Sequence, residues 1–503
     1  MVRPFPRRQL TPSIPEQFSG APRHPTAKNH MTSETPASTD AASTVPGEPA
    51  AEGLLSPRYR LTTIGAFALI FLGAFEALAV TTIMPTVSRQ LHGEALYSLA
   101  FSGTLATSVV GMVVAGGWAD RRGPSRPLVA AILVFLVGLL LSGSATDMNV
   151  FIGGRLLQGL GSGAISVCLY VVVARIYPAA LHPRIFGSFA AAWVLPSMIG
   201  PPVAGLVADT ISWHWVFLGV GFLVLAAAGA IAPAVRALWS TPVDATAGAP
   251  AVRSIVFSIV VAIGVVAISF AGESSGPLVV VIALVAFAIV VLALRPLVPR
   301  GTLRVARGLP ATVLLRGVVA AAFYATEVYL PYFLTEQHGL PTGVAGLILT
   351  VGAVSWALGS ELQGRLGDRM SHDRALRIGS GLLAVGLAVQ LVAAILVLSP
   401  FVSAAGWLAA GAGMGLMFPR IGTLVLGYST ERDQGFNSAA MSITDAAGGA
   451  TSIAFAGLLF AAAGAASGAG FVAALALTAV LAVLAIPVAF RARATRKAEA
   501  TAN

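Results

Sequence analysis

Fourteen runs of apolar residues, each long enough to cross a bilayer, dominate this chain of 503 residues. A spanning helix needs about 20 such residues. The runs fall at roughly 62–86, 95–119, 127–147, 149–175, 183–208, 213–233, 253–272, 277–295, 310–335, 342–367, 375–399, 401–428, 435–463 and 466–490. Only 10% of residues are charged and 56% are hydrophobic, whereas a soluble domain carries about 25% charge. The pattern predicts an all-α polytopic membrane protein.

The net charge of +10 does not point to nucleic acid, because the basic residues alternate by side. One set of connections holds Arg121, Arg122, Arg126, Arg175, Arg236, Arg253, Arg300, Arg304, Arg365 and Arg369. The other set holds acids, Glu94, Asp147, Asp209 and Glu336, with Arg89 as its one basic residue. The positive-inside rule then places both termini in the cytoplasm of a cell inner (plasma) membrane. The single cysteine, Cys168, lies within an apolar run, which excludes a disulfide framework or a thiolate metal site. No pair of histidines meets at mid-membrane depth, which argues against haem.

The runs divide as six, two and six. Spans 1–6 and 9–14 align with an offset near 250, and Gly159-x-Gly161-x-Gly163 matches Gly411-x-Gly413-x-Gly415 at an offset of 252. Internal repetition of this kind is how transporters are built. The expected fold is two pseudo-symmetric six-helix bundles plus two extra central helices that serve as a lipid-facing spacer. The expected domains are a disordered cytoplasmic tail at 1–57, a first bundle at 58–235, a linker with two extra helices at 236–308, a second bundle at 309–490 and a basic tail at 491–503. The tail is rich in Pro, Ser, Thr and Ala and has no apolar run. Met31 within it is a candidate for the true start.

A charged loop between spans 2 and 3 has a partial copy. Gly116, Asp120, Arg121 and Gly123 recur as Gly364, Asp368 and Arg369 at an offset of 248, with Ser371 in place of the second glycine. Asp120 can accept from backbone N–H groups at a helix start or pair with an arginine, latching one face shut. A topology signal with tight packing is the simpler reading. The pattern G-x-x-x-D-R-x-G resembles the signature loop of the major facilitator superfamily.

Further resemblances sit inside the spans. Glu76 lies in mid-span 1, where a charged carboxylate costs about 2.5 kcal/mol or more. It is expected to face a cavity, to carry a proton or to serve as a structural partner of Arg155. With Pro85 nine residues on, the stretch resembles the first span of 14-helix drug:proton antiporters, which usually carry Asp there. Arg155 opens R-x-x-Q-G-x-G in span 4, which resembles the superfamily's proton-linked motif; a purely structural arginine is the alternative. Gly200, Pro201 and Gly205 in span 5 resemble the antiporter motif of exporters. Asp445 in span 13 is expected to bind protons or to join the gate at Asp120. Arg420 and Glu361 read as structural ion pairs.

Glu327 lies in span 9 among Phe323, Tyr324, Tyr329 and Tyr332, a setting suited to a cationic group, or else a water-exposed residue near the outer mouth. Trp193 and Trp407 align with Asp445 and Arg155 in the opposite halves. They complete a candidate substrate-binding set with Glu76, Glu327 and Tyr324.

The resemblance implies proton-driven export of a small amphipathic compound by a monomer. It implies no cofactor, and the small molecule, protons and the lipid bilayer as partners. A metabolite or lipid transporter of the same superfamily is the nearest alternative, and a non-transporting receptor or sensor the alternative from another class. An enzyme would need clustered His, Asp and Glu motifs near one face. ATP does not drive the chain directly, since no G-x-x-x-x-G-K-[ST] occurs.

Overall fold

In a bilayer the backbone must satisfy its own hydrogen bonds, so apolar runs of this length become helices. The computed structural model describes residues 53–239, 252–271, 278–430, 433–464 and 468–493; for Ala179, Pro183, Ala190 and Asp368 it describes the backbone alone. The expectations for Met31 and for most of the tail lie outside the described residues. Chain contacts begin before the expected boundary at 58, since the Thr63 hydroxyl donates to the Leu54 carbonyl at 2.8 Å.

Fourteen helices are long and apolar enough to cross a membrane. In chain order they are α1 (Arg60–Gln90), α2 (Tyr97–Arg122), α3 (Ser125–Gly143), α4 (Met148–Ile176), α5 (His182–Thr210), α6 (His214–Trp239), α7 (Val252–Ala271), α8 (Leu278–Leu294), α9 (Leu309–His338), α10 (Thr342–Leu366), α11 (His372–Leu396), α12 (Pro400–Gly427), α13 (Gln434–Ala462) and α14 (Gly468–Arg491). Local chemistry sets several ends. The Asp147 carboxylate caps α4 by accepting from Asn149 N at 3.0 Å and Val150 N at 3.1 Å. Gly339, at φ 63°, closes α9 in the left-handed region that favours glycine.

The two halves repeat the same packing scheme. In the first, α1 packs on α5 and α6, α4 on α2 and α3, and α3 on α6; in the second, α9 packs on α13 and α14, α12 on α10 and α11, and α11 on α14. The halves meet through two related pairs, α5 with α10 and α2 with α13.

The repeated glycines explain why α4 and α12 are central. A Cβ on Gly161 would lie 2.6 Å from Phe135 N of α3, while Gly159 and Gly163 abut the Thr104 and Ser108 carbonyls of α2. In the second half Gly413 faces α11, at 2.8 Å from Leu383 N, and Gly411 and Gly415 face the Gly352 and Trp356 carbonyls of α10. Alternate glycines therefore admit a neighbour on each side.

The extra pair is more than a spacer. α7 packs on both α2 and α13 and so covers one of the two seams between halves. The Ser102 hydroxyl of α2 and the Ser269 hydroxyl of α7 bond at 2.9 Å. α8 lies outside α7 and exposes much of its apolar surface.

Gly161→Val should lower stability by about 1–3 kcal/mol, because the added side chain overpacks the contact with α3. Gly153→Ala should cost nothing, since open space surrounds that Cβ direction. Thermal melting of both variants in detergent checks the contrast, and equal melting temperatures would contradict the packing account.

Candidate transport and coupling site

The first half encloses one ion pair. Arg155 Nη1 donates to Glu76 Oε1 and to Gln158 Oε1, and Arg155 Nε donates to the Ala100 carbonyl at 3.2 Å. The arginine thus ties α4 to α1 and α2. The Glu76 and Arg155 side chains are 5% and 3% exposed. Glu76 therefore does not face open space in this structure, contrary to the cavity-facing expectation. The close approach of α2 and α4 makes the cluster possible: Thr104 and Thr107 donate to the Arg155 and Leu156 carbonyls at 3.2 and 2.8 Å.

The second half holds its ion pair elsewhere. Asp445 Oδ1 accepts from Arg316 Nε at 2.7 Å, and Oδ2 accepts from the Tyr324 hydroxyl at 3.2 Å. The Arg316 guanidinium lies 3.1 Å from the Phe418 ring centroid, a cation–π geometry. These charges are 14% and 19% exposed, so this cluster is less enclosed than the first. Asp445 is thus joined to α9 rather than to the loop at Asp120. Sequence reasoning passed over Arg316, although the argument used for Arg155 applies to any arginine several residues inside a span.

Where Arg155 stands in the first half, the second half has Trp407. Its ring stacks on Phe323 at 4.4 Å and its indole N–H donates to the Leu349 carbonyl at 3.3 Å. Trp407 is 1% exposed, which makes it a core packing residue here rather than an open binding wall. Trp193, by contrast, is 53% exposed on α5. Glu327 is partly buried on α9 and has no hydrogen bond or ion pair among the described residues. Tyr324 lies close enough to Glu327 and Asp445 to feel both charges.

The two charged loops differ in backbone as well as sequence. Asp120 lies in the last turn of α2, not at a helix start, and is exposed. A carboxylate at a helix C-terminus opposes the dipole, and the charge acting on it is Arg175 at the end of α4. Arg121 Nε turns back to the Gly117 carbonyl at 3.1 Å. Gly123, at φ 76°, ends α2 after Arg122, and Gly116 sits one helical turn inside it. In the copy, α10 stops at Leu366 and Gly367, at φ 46°, takes the positive-φ place. Asp368 and Arg369 fall in a 3-10 turn, Gly364 has open space around it, and the Asp368 side chain lies outside the described residues.

Arg420 Nη2 donates to the Gly367 carbonyl at 2.6 Å, while Glu361 pairs with Arg365 at 2.8 Å on the surface. Glu361 is thus in an ion pair as expected, whereas Arg420 is held by a backbone carbonyl instead of a carboxylate.

The span-5 motif sits at the seam. A Cβ on Gly205 would lie 2.7 Å from Gly343 Cα of α10, and one on Gly346 would lie 3.0 Å from the Pro201 carbonyl. Gly200 faces the Phe75 ring of α1 at 3.5 Å. α5 remains helical through Pro196, Pro201 and Pro202.

Three bonds between the halves lie toward the end of the bundle where α1 ends and α10 begins, and Thr350 of α10 donates to the Met198 carbonyl of α5 at 3.5 Å farther along the seam. Arg89 pairs with Glu336, Thr86 bonds Thr342 at 3.2 Å, and the Tyr97 hydroxyl donates to the Val328 carbonyl at 2.9 Å. Tyr97 also stacks on Tyr332 at 4.6 Å. This end of the seam is closed.

Two pseudo-symmetric helical bundles that meet along paired seams, with ion pairs enclosed inside the spans, define the architecture of a polytopic helical membrane protein. The chain belongs to the Major Facilitator Superfamily, whose sequence model matches residues 66–389 and 312–503. It is 28% identical over 158 residues to "Multidrug resistance protein 3" of Bacillus subtilis (strain 168), covering 31% of each chain. It is 30% identical over 177 residues to "Multidrug transporter protein MdtP" of the same strain, covering 35% of this chain and 32% of that one. It is also 31% identical over 147 residues to "Acurin A biosynthesis cluster MFS-type transporter" of Aspergillus aculeatus, covering 29% of this chain and 26% of that one. The chain thus spans about a quarter to a third of the length of these relatives. Among solved structures, a POT family transporter in complex with 5-aminolevulinic acid superposes with a TM-score of 0.64 at 14% identity, covering 87% of this chain and 96% of that one.

Removing one partner of an enclosed ion pair costs about 3–5 kcal/mol, because the other charge is left uncompensated. Arg155→Leu should therefore lose stability on that scale, and adding Glu76→Gln should restore most of it. A double-mutant cycle on unfolding midpoints measures this coupling. Additive losses would mean that the two groups do not support each other.

Proposed function

We propose that the chain is a proton-coupled secondary transporter that exports a small amphipathic compound by alternating access. In this reading it sits in the plasma membrane with both termini in the cytoplasm, draws on the proton gradient with no cofactor, and works as a monomer. The observation that carries the reading is the enclosed Glu76–Arg155–Gln158 cluster. A carboxylate inside a span is neutralised either by its arginine or by a proton. Exchange between these two states is a switch. Protonation of Glu76 releases Arg155, which also holds α2 through the Ala100 carbonyl, so the packing of α1, α2 and α4 depends on the proton.

Asp445, Arg316 and Tyr324 form a switch of the same kind in the second half. Glu327 is a carboxylate inside a span with no partner among the described residues, which suits it to receive the cationic end of a substrate. Tyr324 lies near it on α9, and exposed Trp193 offers an apolar face from the first half. Glu76 contacts substrate only if its pair with Arg155 opens.

The closed seam at Arg89–Glu336 supports assigning this structure to a state open toward the cytoplasm. Asp120 and its copy would then form their cross-bundle contacts in the opposite state. Export is favoured over uptake by the Gly200-Pro201…Gly205 seam and by relatives whose names state efflux, among them "Multidrug efflux pump SdrM" of Staphylococcus aureus (strain N315), 27% identical over 157 residues.

Uptake of labelled cationic drugs into inside-out vesicles, with and without a proton gradient, tests the reading. Glu76→Gln should abolish gradient-driven accumulation while leaving drug binding within about two-fold. Full accumulation by the variant would remove Glu76 from the coupling. Glu327→Gln should weaken cationic drugs about ten-fold or more, a loss of roughly 1.4 kcal/mol, and leave neutral compounds unchanged.

The Arg89–Glu336 pair is surface-exposed and worth up to ~1 kcal/mol. Breaking it with Glu336→Gln should shift the two-state ratio up to about five-fold toward the outward-open form. Spin-label distances between positions 91 and 337 read the shift, and an unchanged distribution would show that the pair does not hold the seam.

A further inference from the structure

Away from the transport path, the start of α7, the end of α8 and the start of α13 surround a hollow of about 910 Å³. Four arginines line it, Arg253, Arg295, Arg300 and Arg304, and no carboxylate does. None of the four has an ion pair among the described residues. Four cations facing one space with no counter-charge among the described residues repel each other, and the positive-inside rule asks only for their side of the membrane, not for their convergence.

The segment that carries two of them is a built turn. Val298 is packed in a cluster with Val313, Val425 and Ala440. Thr302 is 1% exposed, and its hydroxyl donates to the Pro299 carbonyl at 2.8 Å. The Ala306 N–H returns to the Gly301 carbonyl at 3.1 Å. The turn takes three positive-φ residues, Gly301 at 90°, Val305 at 53° and Gly308 at 83°. For a β-branched valine that conformation is strained, and strain of this kind persists where the surroundings over-determine it. Arg300 and Arg304 are thus presented on a fixed scaffold.

The hollow is also continuous with lipid-facing surface. Leu292 lines it and is 63% exposed, and Ile289 and Val285, 42% and 54% exposed, continue along the same face of α8. A soluble anion has no use for that stripe, whereas an acyl chain does. Arginine forks match phosphate oxygens, and basic pockets between spanning helices at one membrane face recognise anionic headgroups.

We propose that this hollow holds the phosphate headgroup of an acidic phospholipid, with its acyl chains along α8. Bound there, the lipid bridges α7 and α8 to α13 and fastens the extra helix pair to the second half at the membrane face where α7 and α13 begin. The site is distinct from the residues placed in coupling and substrate binding.

The test titrates the detergent-purified full chain with phosphatidylglycerol or with phosphatidylcholine of identical chains and counts bound lipid by native mass spectrometry. Phosphatidylglycerol should bind at least ten-fold more tightly. Arg300→Gln with Arg304→Gln should weaken it about ten-fold, Arg300→Lys with Arg304→Lys should retain part of that loss, and Arg491→Gln with Arg493→Gln, which removes the same charge elsewhere, should have little effect. Equal binding of the two lipids, or equal loss from both glutamine pairs, would overturn the proposal. Displacement of the lipid by inorganic phosphate at matched concentration would assign the hollow to a free anion and overturn it as well. Unchanged circular dichroism and melting of the variants separate lost binding from lost fold.

Discussion

The close approach of α4 to α2 is the contact on which the rest of the first half depends. Gly159 and Gly163 let the α2 backbone lie against α4. At that distance Thr104 and Thr107 reach the α4 carbonyls, and Arg155 reaches back to the Ala100 carbonyl. Its Nη1 then donates to Glu76 and Gln158. An arginine at this depth without those partners would face hydrocarbon and cost several kcal/mol. The glycines and the charge are therefore one device: small residues create the contact, and the contact supplies the acceptors.

The second half keeps the glycine scaffold and changes what it carries. Gly411, Gly413 and Gly415 bring α12 against α10 and α11 as their counterparts do. The place of Arg155 is taken by Trp407, stacked on Phe323. Charge moves instead to α9 and α13, where Arg316 meets Asp445. On the proposed reading, symmetric packing with non-equivalent charges would let the halves rock as similar bodies while each responds to protonation at a different exposure. On the proposed reading, that inequality allows one half to hold a proton while the other exchanges it.

Much of this architecture was legible in the sequence because hydropathy is a one-dimensional signal. Span number, the offset near 250 and the paired glycine motifs all follow from counting along the chain. The partner choices were harder to read. Arg316 and Asp445 are 129 positions apart, and nothing local marks them as neighbours. Glu76 was expected beside open space, since an acid in a span calls for water or a partner and the sequence does not say which. The loops show another limit. Asp120 and Asp368 are aligned residue for residue, yet α2 continues past the first and α10 stops before the second. A glycine three residues after one aspartate and another directly before its copy shift the helix end.

The extra helices add an asymmetry that the repeat alone does not contain. The two seams between halves are related, α5 with α10 and α2 with α13, but α7 covers only the second. Any rocking motion must therefore carry α7 along with α2 and α13 or slide past it. The Ser102–Ser269 bond and the packing of Val261 and Val265 with Ala106 and Val109 favour movement as a unit. The α5–α10 seam has no such cover, and its exposed side chains, Met198, Ile199 and Val203 on α5 with Val344 and Leu347 on α10, are apolar. On the proposed reading, a bundle covered by α7 along one seam and bare along the other would hinge about the covered side.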